Sequence, residues 1–533
     1  ILEYLSSGTI RGIGRKTAER IVAAFGAETF NIIENDAAQL ATIPGITHSK
    51  AVSISNDFKT QNGISRLMEF LVSNELPPSL ALHLYRLYGA ASIELLHDNP
   101  YLLTNMELGV EFYRADKLAM TLGLSGDCME RVEAAVVYEL SYNAESGHVF
   151  IPRRKLVPVT AKLIDVPYDL VEDTIDSLSD DHVIVIEDVC GETACYLSHL
   201  YEAETFVAAR LEQLMGCQIK TELDMGETVS RIESAARLSY APLQREAVCA
   251  AANNPVMILT GGPGTGKTTV IQGMLELFSR MGLSVSLAAP TGRAAKRMSE
   301  FCGVEAATIH RMLEQDYTDG SGLPTFGKNE GNPLETDVLI IDEMSMVDIM
   351  LMRAVLAALP TSCRLVMVGD SDQLPSIGAG NVLKDLIAAD IITSIRLTEI
   401  FRQAQSSNIV VSAHAINRGE FPDFAGRDSD MFFLQRHDAN SVIETTVELC
   451  RDRLPKNMGI PASQIQVLTP SRKYDVGTII LNRRLQDALN PASQDKNEHR
   501  VGDKLFRVGD RVMQIRNNYD LAWHNLDGAD SGL

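Results

Sequence analysis

From residue 255 onward, short apolar runs alternate with helix-like segments. VMILT (256–260), VSLAA (285–289), VLIID (338–342) and RLVMVGD (364–370) each end at a polar turn. Continuous apolar runs this short predict strands buried on both faces, and the helices between them predict the crossovers of a parallel βαβ sheet. IQVLTPS (465–471) reads as one more such strand. The first 145 residues follow a different pattern, short amphipathic helices with an internal repeat. FGAETFNIIENDAAQL (25–40) matches YGAASIELLHDNPYLL (88–103) at an offset of 63. IPGITHSKAVSI (43–54) echoes IRGIGRKTAERI (10–21) at an offset of 33, and LGVEFYRADKLA (108–119) echoes it again. Four helical units of about 32 residues fit this pattern, as in stacked helix–turn–helix repeats. Between the two regions, HVFIP and DDHVIVIED read as short strands flanking the helix YDLVEDTIDSLSD, a small winged-helix-like module. An acidic helical connector follows at about 201–235.

The chain has 533 residues and a net charge of −22. That total disfavours broad, nonspecific coating of DNA. The charge is uneven, however. Residues 1–60 hold six Lys/Arg and six Asp/Glu, whereas 161–240 hold five against 17. A local DNA contact elsewhere is therefore still permitted. Residues 10–21 carry Arg11, Arg15, Lys16 and Arg20 against Glu19, and a turn with Gly12 and Gly14 would offer backbone N–H groups to a phosphate. The later copies lack the second glycine, with Thr47 in its place in one of them, and read as structural. Eight scattered cysteines with no C-x-x-C pair predict reduced thiols rather than zinc. No apolar run reaches membrane-spanning length, and Glu3 and Tyr4 interrupt any leader-like start. The expectation is a cytoplasmic protein with no membrane partner.

GGPGTGKTT (261–269) fits the phosphate-loop pattern, after an apolar strand and before a helix. Gly262, Pro263, Gly264, Thr265 and Gly266 would turn N–H groups toward phosphates. Lys267 would reach the β- and γ-phosphates, and Thr268, followed by Thr269, would ligate Mg²⁺. The strand VLIID then delivers Asp342 to Mg²⁺ and Glu343 to the attacking water. These motifs predict a Mg²⁺-dependent NTPase without saying which kind.

APTGRAAKR (289–297), VGDSDQLPSIGAG (368–380) and LTEIFRQA (397–404), in this order and spacing, resemble superfamily 1 DNA helicases of the RecD/TraA family. The resemblance is to the stand-alone branch with an N-terminal helix–hairpin–helix region. ERIVAAFG, GHVFIP, TIHRML and RVMQIRNNYD extend the likeness over essentially the whole chain. It implies that Gln244 reads adenine, Gln373 senses the γ-phosphate and Arg402 reaches it from a second motor lobe. It assigns DNA-backbone contact to Pro290, Thr291, Gly292 and Arg293, and to Thr308 and His310. For His310 a packed, hydrogen-bonded histidine is the alternative. Residues 314–333 match the family's duplex-splitting pin, a β-hairpin with a loose tip.

The expected fold is multidomain: α-helical helix–hairpin–helix repeats (1–145), a winged-helix-like module with acidic connector (146–235), and α/β P-loop NTPase lobes of RecA type. The first lobe spans 236–395 and the second, incomplete, 396–490, with the start of a small β-barrel at 491–533. The family's last two helicase motifs would lie beyond Leu533 and a small domain before Ile1, so the chain reads as truncated at both ends. On that reading ATP binding is better supported than unwinding by this polypeptide. The implied function is a 5′→3′ DNA helicase acting, as a monomer, on single-stranded DNA or a duplex with a 5′ tail, in bacterial DNA repair or recombination. The resemblance leaves a single-stranded-DNA-binding protein or repair factors open as partners. The alternatives are a noncatalytic DNA-structure-binding protein with a nucleotide-binding motor, and a P-loop ATPase acting on protein.

Overall fold

The computed structural model describes residues 5, 13, 15–105, 107–217, 219, 223–316, 325–399, 407–422, 424, 429–502, 504–513, 523–524 and 531–532. Two compact units, Ile1–Pro422 and Asp423–Leu533, make up the chain.

The offset-63 repeat is written into the backbone. Phe25 (φ −117°, ψ −10°) and Tyr88 (φ −119°, ψ −4°) close equivalent helices, Arg15–Phe25 and Leu80–Tyr88. A 3₁₀ turn follows each, and Thr29 and Ser92 donate their hydroxyls to the carbonyls of Gly26 (2.8 Å) and Gly89 (2.6 Å). Asp36 and Asn99 then cap the next turn with side-chain oxygens. Matching residue chemistry has produced matching turns. The second unit departs from a pair of helices, because one 26-residue helix, His48–Ser73, spans it. Thr47, standing where a second glycine would be, is its N-cap and accepts from Lys50 N–H at 3.3 Å. A capping hydroxyl is what that position needs structurally.

In the segment after the repeats, strands β1 (Phe150–Pro152), β2 (Ile184–Val189) and β3 (Glu192–Leu197) form an antiparallel sheet in the order β1-β3-β2, against the helices Arg153–Ile164 and Tyr168–Asp180. The connector is the two helices Ser198–Met215 and Met225–Ala236.

The apolar runs form β4 (Val256–Gly261), β5 (Val285–Ala289), β9 (Val338–Ile341) and β10 (Arg364–Gly369) of a six-stranded parallel sheet. β6 (Ala306–Thr308) and β11 (Thr393–Leu397) complete the order β11-β4-β10-β9-β5-β6, while β7 (Gln315–Asp316) and β8 (Thr325–Phe326) pair in a separate two-stranded sheet. Helices on the sheet bury β4 and β9 completely, which explains their unbroken apolar sequences. The stretch 465–471 is not a strand. It has no ladder partner among the described residues, and Leu468 is 88% exposed. An apolar run becomes a strand only where a neighbour takes its backbone hydrogen bonds.

Within the first unit one core runs from the repeats into the sheet, including Leu84, Leu140, Ile175, Leu200, Val355 and Leu383. The Ser198–Met215 helix lies on the Ile349–Ala358 helix, where Arg210 donates to the carbonyl of Leu356 at 3.3 Å. Gly380 N–H also reaches the carbonyl of Gly147 at 3.0 Å. In the second unit, helices Ala439–Glu448 and Thr478–Leu489 precede a two-stranded hairpin, 498–501 with 504–507.

Gly273 lies in the Lys267–Arg280 helix, with the Tyr240 hydroxyl standing where a β-carbon would be and Val248 Cγ2 at 3.1 Å from it. Gly273→Ala is expected to overpack this core by about 1–3 kcal/mol, since close-packed cores resist added volume. The check is a lowered thermal unfolding midpoint.

Candidate nucleotide and DNA site

The loop after β4 is shaped by two left-handed glycines, Gly264 (φ +77°) and Gly266 (φ +81°). An L side chain is strained in that region of backbone space. Gly266 is the N-cap of the Lys267–Arg280 helix, so the dipole of a 14-residue helix opens into the loop. Buried Thr265 braces the loop by donating its hydroxyl to the Gly262 carbonyl at 2.9 Å. Lys267 Nζ donates to the carbonyls of Gly261 (2.5 Å) and Gly262 (3.3 Å). The loop thus holds an ammonium beside a helix N-terminus, an arrangement suited to a polyphosphate. Thr268 and Thr269 stand half-buried at the helix start.

β9 leads directly into Asp342, two strands from β4 with β10 between them. Asp342 Oδ1 accepts from Glu343 N–H at 2.9 Å. Burial pushes the Asp342 carboxyl above its ordinary range, against the lowering effects of that N–H, Lys267 and Arg297. Glu343 is raised as well, first by burial and then by the charge of Asp342. Two carboxylates held close are stabilised by a cation between or beside them. Glu343 also has φ +56°, a conformation rare for a residue with a β-carbon. Strain of this kind persists where the surroundings fix it, and it gathers at working sites. Asp342 and Thr268 can offer a carboxylate and a hydroxyl to Mg²⁺, a cation that takes few protein ligands when phosphates and waters supply the rest.

Gln244 is buried, and its amide is already engaged. Nε2 donates to the carbonyl of Thr265 at 3.2 Å and Oε1 accepts from Ala241 N–H at 3.1 Å. It therefore ties the start of its helix to the phosphate loop, with one N–H and one lone pair left for another group. Gln373 lies exposed in the loop after β10, its backbone N–H on the carbonyl of Asp370 at 3.2 Å. Arg396 from β11 pairs with Asp372 in that loop at 2.9 Å. Arg402 lies outside the described residues.

β5 and β6 are parallel neighbours with Ala289 opposite Thr308. Each strand leads into a capped helix start. Thr291 accepts from Ala294 N–H at 3.2 Å, and Thr308 from Arg311 N–H at 3.2 Å. A β-carbon on Gly292 would touch Thr308 Cγ2 at 4.0 Å, so the two stretches form one surface. Pro290 is half-buried at its edge, while Gly292 and Arg293 are exposed. His310 is packed, its ring 6.4 Å from that of Phe326, and burial lowers its pKa. Phe326 belongs to the base of a hairpin in which Gln315 pairs with Phe326 and Asp316 with Thr325. The tip, 317–324, lies outside the described residues, as do Gly12 and Gly14. Arg15 is exposed and 3.5 Å from Glu19. Arg20, part of the same basic stretch, donates to the carbonyl of Pro44 at 2.9 Å.

Three groups escaped the sequence reading. Arg297 sends its charge onto both Asp342 and Glu343. It stands one helical turn after Arg293, so its place in APTGRAAKR was a usable signal. Thr260 and Ser371 join the ends of β4 and β10, 3.3 Å apart. His414 packs against the phosphate loop from more than 140 residues downstream. No local pattern marks either of these contacts.

Four family models match the chain: an AAA domain (239–439), the ATP-dependent RecD2 DNA helicase HHH domain (60–150), the ATP-dependent RecD-like DNA helicase SH3 domain (481–527) and a SAM-like helix-hairpin-helix tandem (3–60). The ATP-dependent RecD2 DNA helicase of Deinococcus radiodurans is 32% identical over 527 residues, covering 96% of this chain and 70% of that one. The RecBCD enzyme subunit RecD of Mycolicibacterium smegmatis is 37% identical over 29% of this chain and 33% of its own. Among solved structures, the Pif1 helicase from Candida albicans aligns with a TM-score of 0.28 and 21% identity over 40% of this chain and 55% of that one, too distant to bear on the fold. With helix–hairpin–helix repeats, a phosphate loop and acidic strand end on one sheet, and this identity along nearly its whole length, the chain belongs to the RecD2 family of ATP-dependent DNA helicases.

Proposed function

We propose that this chain couples ATP hydrolysis at the β4 loop to 5′→3′ movement along single-stranded DNA, in DNA repair or recombination. One observation carries the coupling. The phosphate loop, Asp342–Glu343, the Gln373 loop and the two capped helix starts all leave the same carboxyl edge of one parallel sheet. Ligands of open α/β sheets bind along that edge. Four strand spacings separate β4 from β6, about 19 Å at ordinary inter-strand distances. Nucleotide and DNA would thus share one rigid support without overlapping.

In this reading Lys267 and the loop N–H groups hold the triphosphate. Thr268 and Asp342 hold Mg²⁺, which when bound would offset phosphate charge. Glu343 takes a proton from the attacking water, and Gln244 uses its remaining donor and acceptor on adenine. Gln373 and Arg402 respond to the terminal phosphate. Pro290, Thr291, Gly292, Arg293 and Thr308 grip the DNA backbone, and His310 supports the base of the 314–333 pin. Gly12, Gly14 and Arg15 form an accessory grip in the repeats. The domain limits follow the sequence reading: 1–145, 146–235, 236–395, 396–490 and 491–533. The active species is a monomer working in the bacterial cytoplasm, at the nucleoid.

DNA affinity should fall steeply with salt as bound phosphates release counterions. Arg293→Ala should weaken single-stranded DNA binding across all sequences and shallow the log–log salt slope by about 1. Fluorescence anisotropy over a salt series checks this. An unchanged slope would remove Arg293 from the interface. Unwinding of a 5′-tailed but not a 3′-tailed duplex tests the polarity.

A further inference from the structure

Gly262 does not need glycine for its backbone, since its φ is outside the left-handed region. A β-carbon there would instead stand 2.5 Å from Cε1 of His414. His414 belongs to the Asn408–Asn417 helix, and its Nε2 lies 3.4 Å from the carbonyl oxygen of Pro263. An imidazole thus sits against the phosphate loop, in the space a missing side chain leaves open.

The carbonyl it meets shares a peptide group with Gly264 N–H. In a planar trans peptide the C=O and N–H point in opposite directions. A Pro263 carbonyl held by His414 fixes Gly264 N–H on the opposite side of that peptide, the side from which it would donate to a phosphate. The peptide needs holding, because Gly264 sits at φ +77° and glycine crosses between backbone regions at little cost. The opposite orientation would aim a carbonyl oxygen at a polyphosphate.

We propose that His414 is a positioning residue of the ATPase site: through its Nε2–H it latches the Pro263–Gly264 peptide in the orientation that donates to the nucleotide. This rests on the nucleotide site proposed above. Acting through the loop peptide, His414 is expected to affect the rate rather than overall nucleotide affinity. A correctly aimed backbone N–H matters most where charge develops in the transition state.

The test is DNA-stimulated ATP hydrolysis by the full chain, beside binding of a fluorescent ADP analogue. His414→Ala should lower kcat roughly 10-fold, a fraction of the loss seen when an oxyanion-type donor is removed outright. ADP-analogue affinity should stay within about threefold, because the helix start and Lys267 still hold the β-phosphate. His414→Gln keeps an N–H donor of similar reach and should recover kcat to within about threefold of wild type. Gly262→Ala displaces the imidazole and should give a similar loss, and in the Gly262→Ala/His414→Ala pair the losses should not multiply. Unchanged kcat in His414→Ala, multiplying losses in the pair, or a parallel collapse of ADP binding and kcat would overturn the latch. Thermal unfolding separates any variant that fails to fold, and His414→Gln then decides alone. A wild-type chain without hydrolysis, or a Lys267→Ala variant that hydrolyses normally, would instead defeat the nucleotide-site reading itself.

Discussion

Lys267→Ala is expected to abolish DNA-stimulated ATP hydrolysis and to raise the dissociation constant for ATP by roughly 100-fold or more, the scale of losing a charge-assisted contact to phosphate. The ammonium already faces the loop, held by the carbonyls of Gly261 and Gly262. A triphosphate arriving there would replace neutral carbonyl partners with charged ones. Alanine leaves the helix intact, being the strongest helix former, so the fold should survive. Its affinity for single-stranded DNA should also survive, because the capped starts at Thr291 and Thr308 are built without Lys267. Isothermal titration with ATP and anisotropy with DNA separate the two. Joint loss of both would mean that the variant had lost its structure and not its chemistry.

Glu343→Gln should lower hydrolysis by about 10²–10⁴, the range for loss of a positioned general base, while ATP binding is kept. A glutamine amide fills the same space and cannot accept the proton from water. The pH profile gives a second check. Glu343 is raised by burial and by the neighbouring charge of Asp342. Below the raised folded-state pKa the carboxyl is protonated and cannot act as a base. The acid limb of kcat should therefore lie above the ordinary glutamate value of about 4.3. Stability moves the other way. A carboxyl with a raised folded pKa favours the fold at low pH, and that contribution is lost as pH rises through the folded pKa. At neutral pH the ionised wild-type side chain is penalised and glutamine is not. Glu343→Gln should therefore unfold at the same or a higher temperature at pH 7, with the gap closing in acid. A destabilised variant at pH 7 would show that the carboxylate is structural.

Much of the motor was written locally. Continuous apolar runs can lie only between covering layers, and so 256–260, 285–289, 338–342 and 364–370 each correspond to a strand of the parallel sheet. The phosphate loop was legible because its glycines serve left-handed turns at Gly264 and Gly266. The offset-63 repeat was legible because like residues make like turns, down to the hydroxyl bonds of Thr29 and Ser92. The run 465–471 misled, because hydropathy reports burial preference and says nothing of a pairing partner. The reading of four equal helix–turn–helix units did not show that His48–Ser73 is one 26-residue helix, because a repeat period does not say where a helix ends.

By itself the sequence determined which residue types stand ready for phosphate, metal and water in the proposed site, since that chemistry depends on a few side chains at short, fixed spacing. Only the tertiary structure decided what stands around them. It set Arg297 beside Asp342 and Glu343, bound the Gln244 amide to Thr265, packed His310 on Phe326 and brought His414 to Gly262. Those neighbours are set by strand order and helix packing, which place residues far apart in the chain within ångströms of each other. No local spacing encodes such a distance.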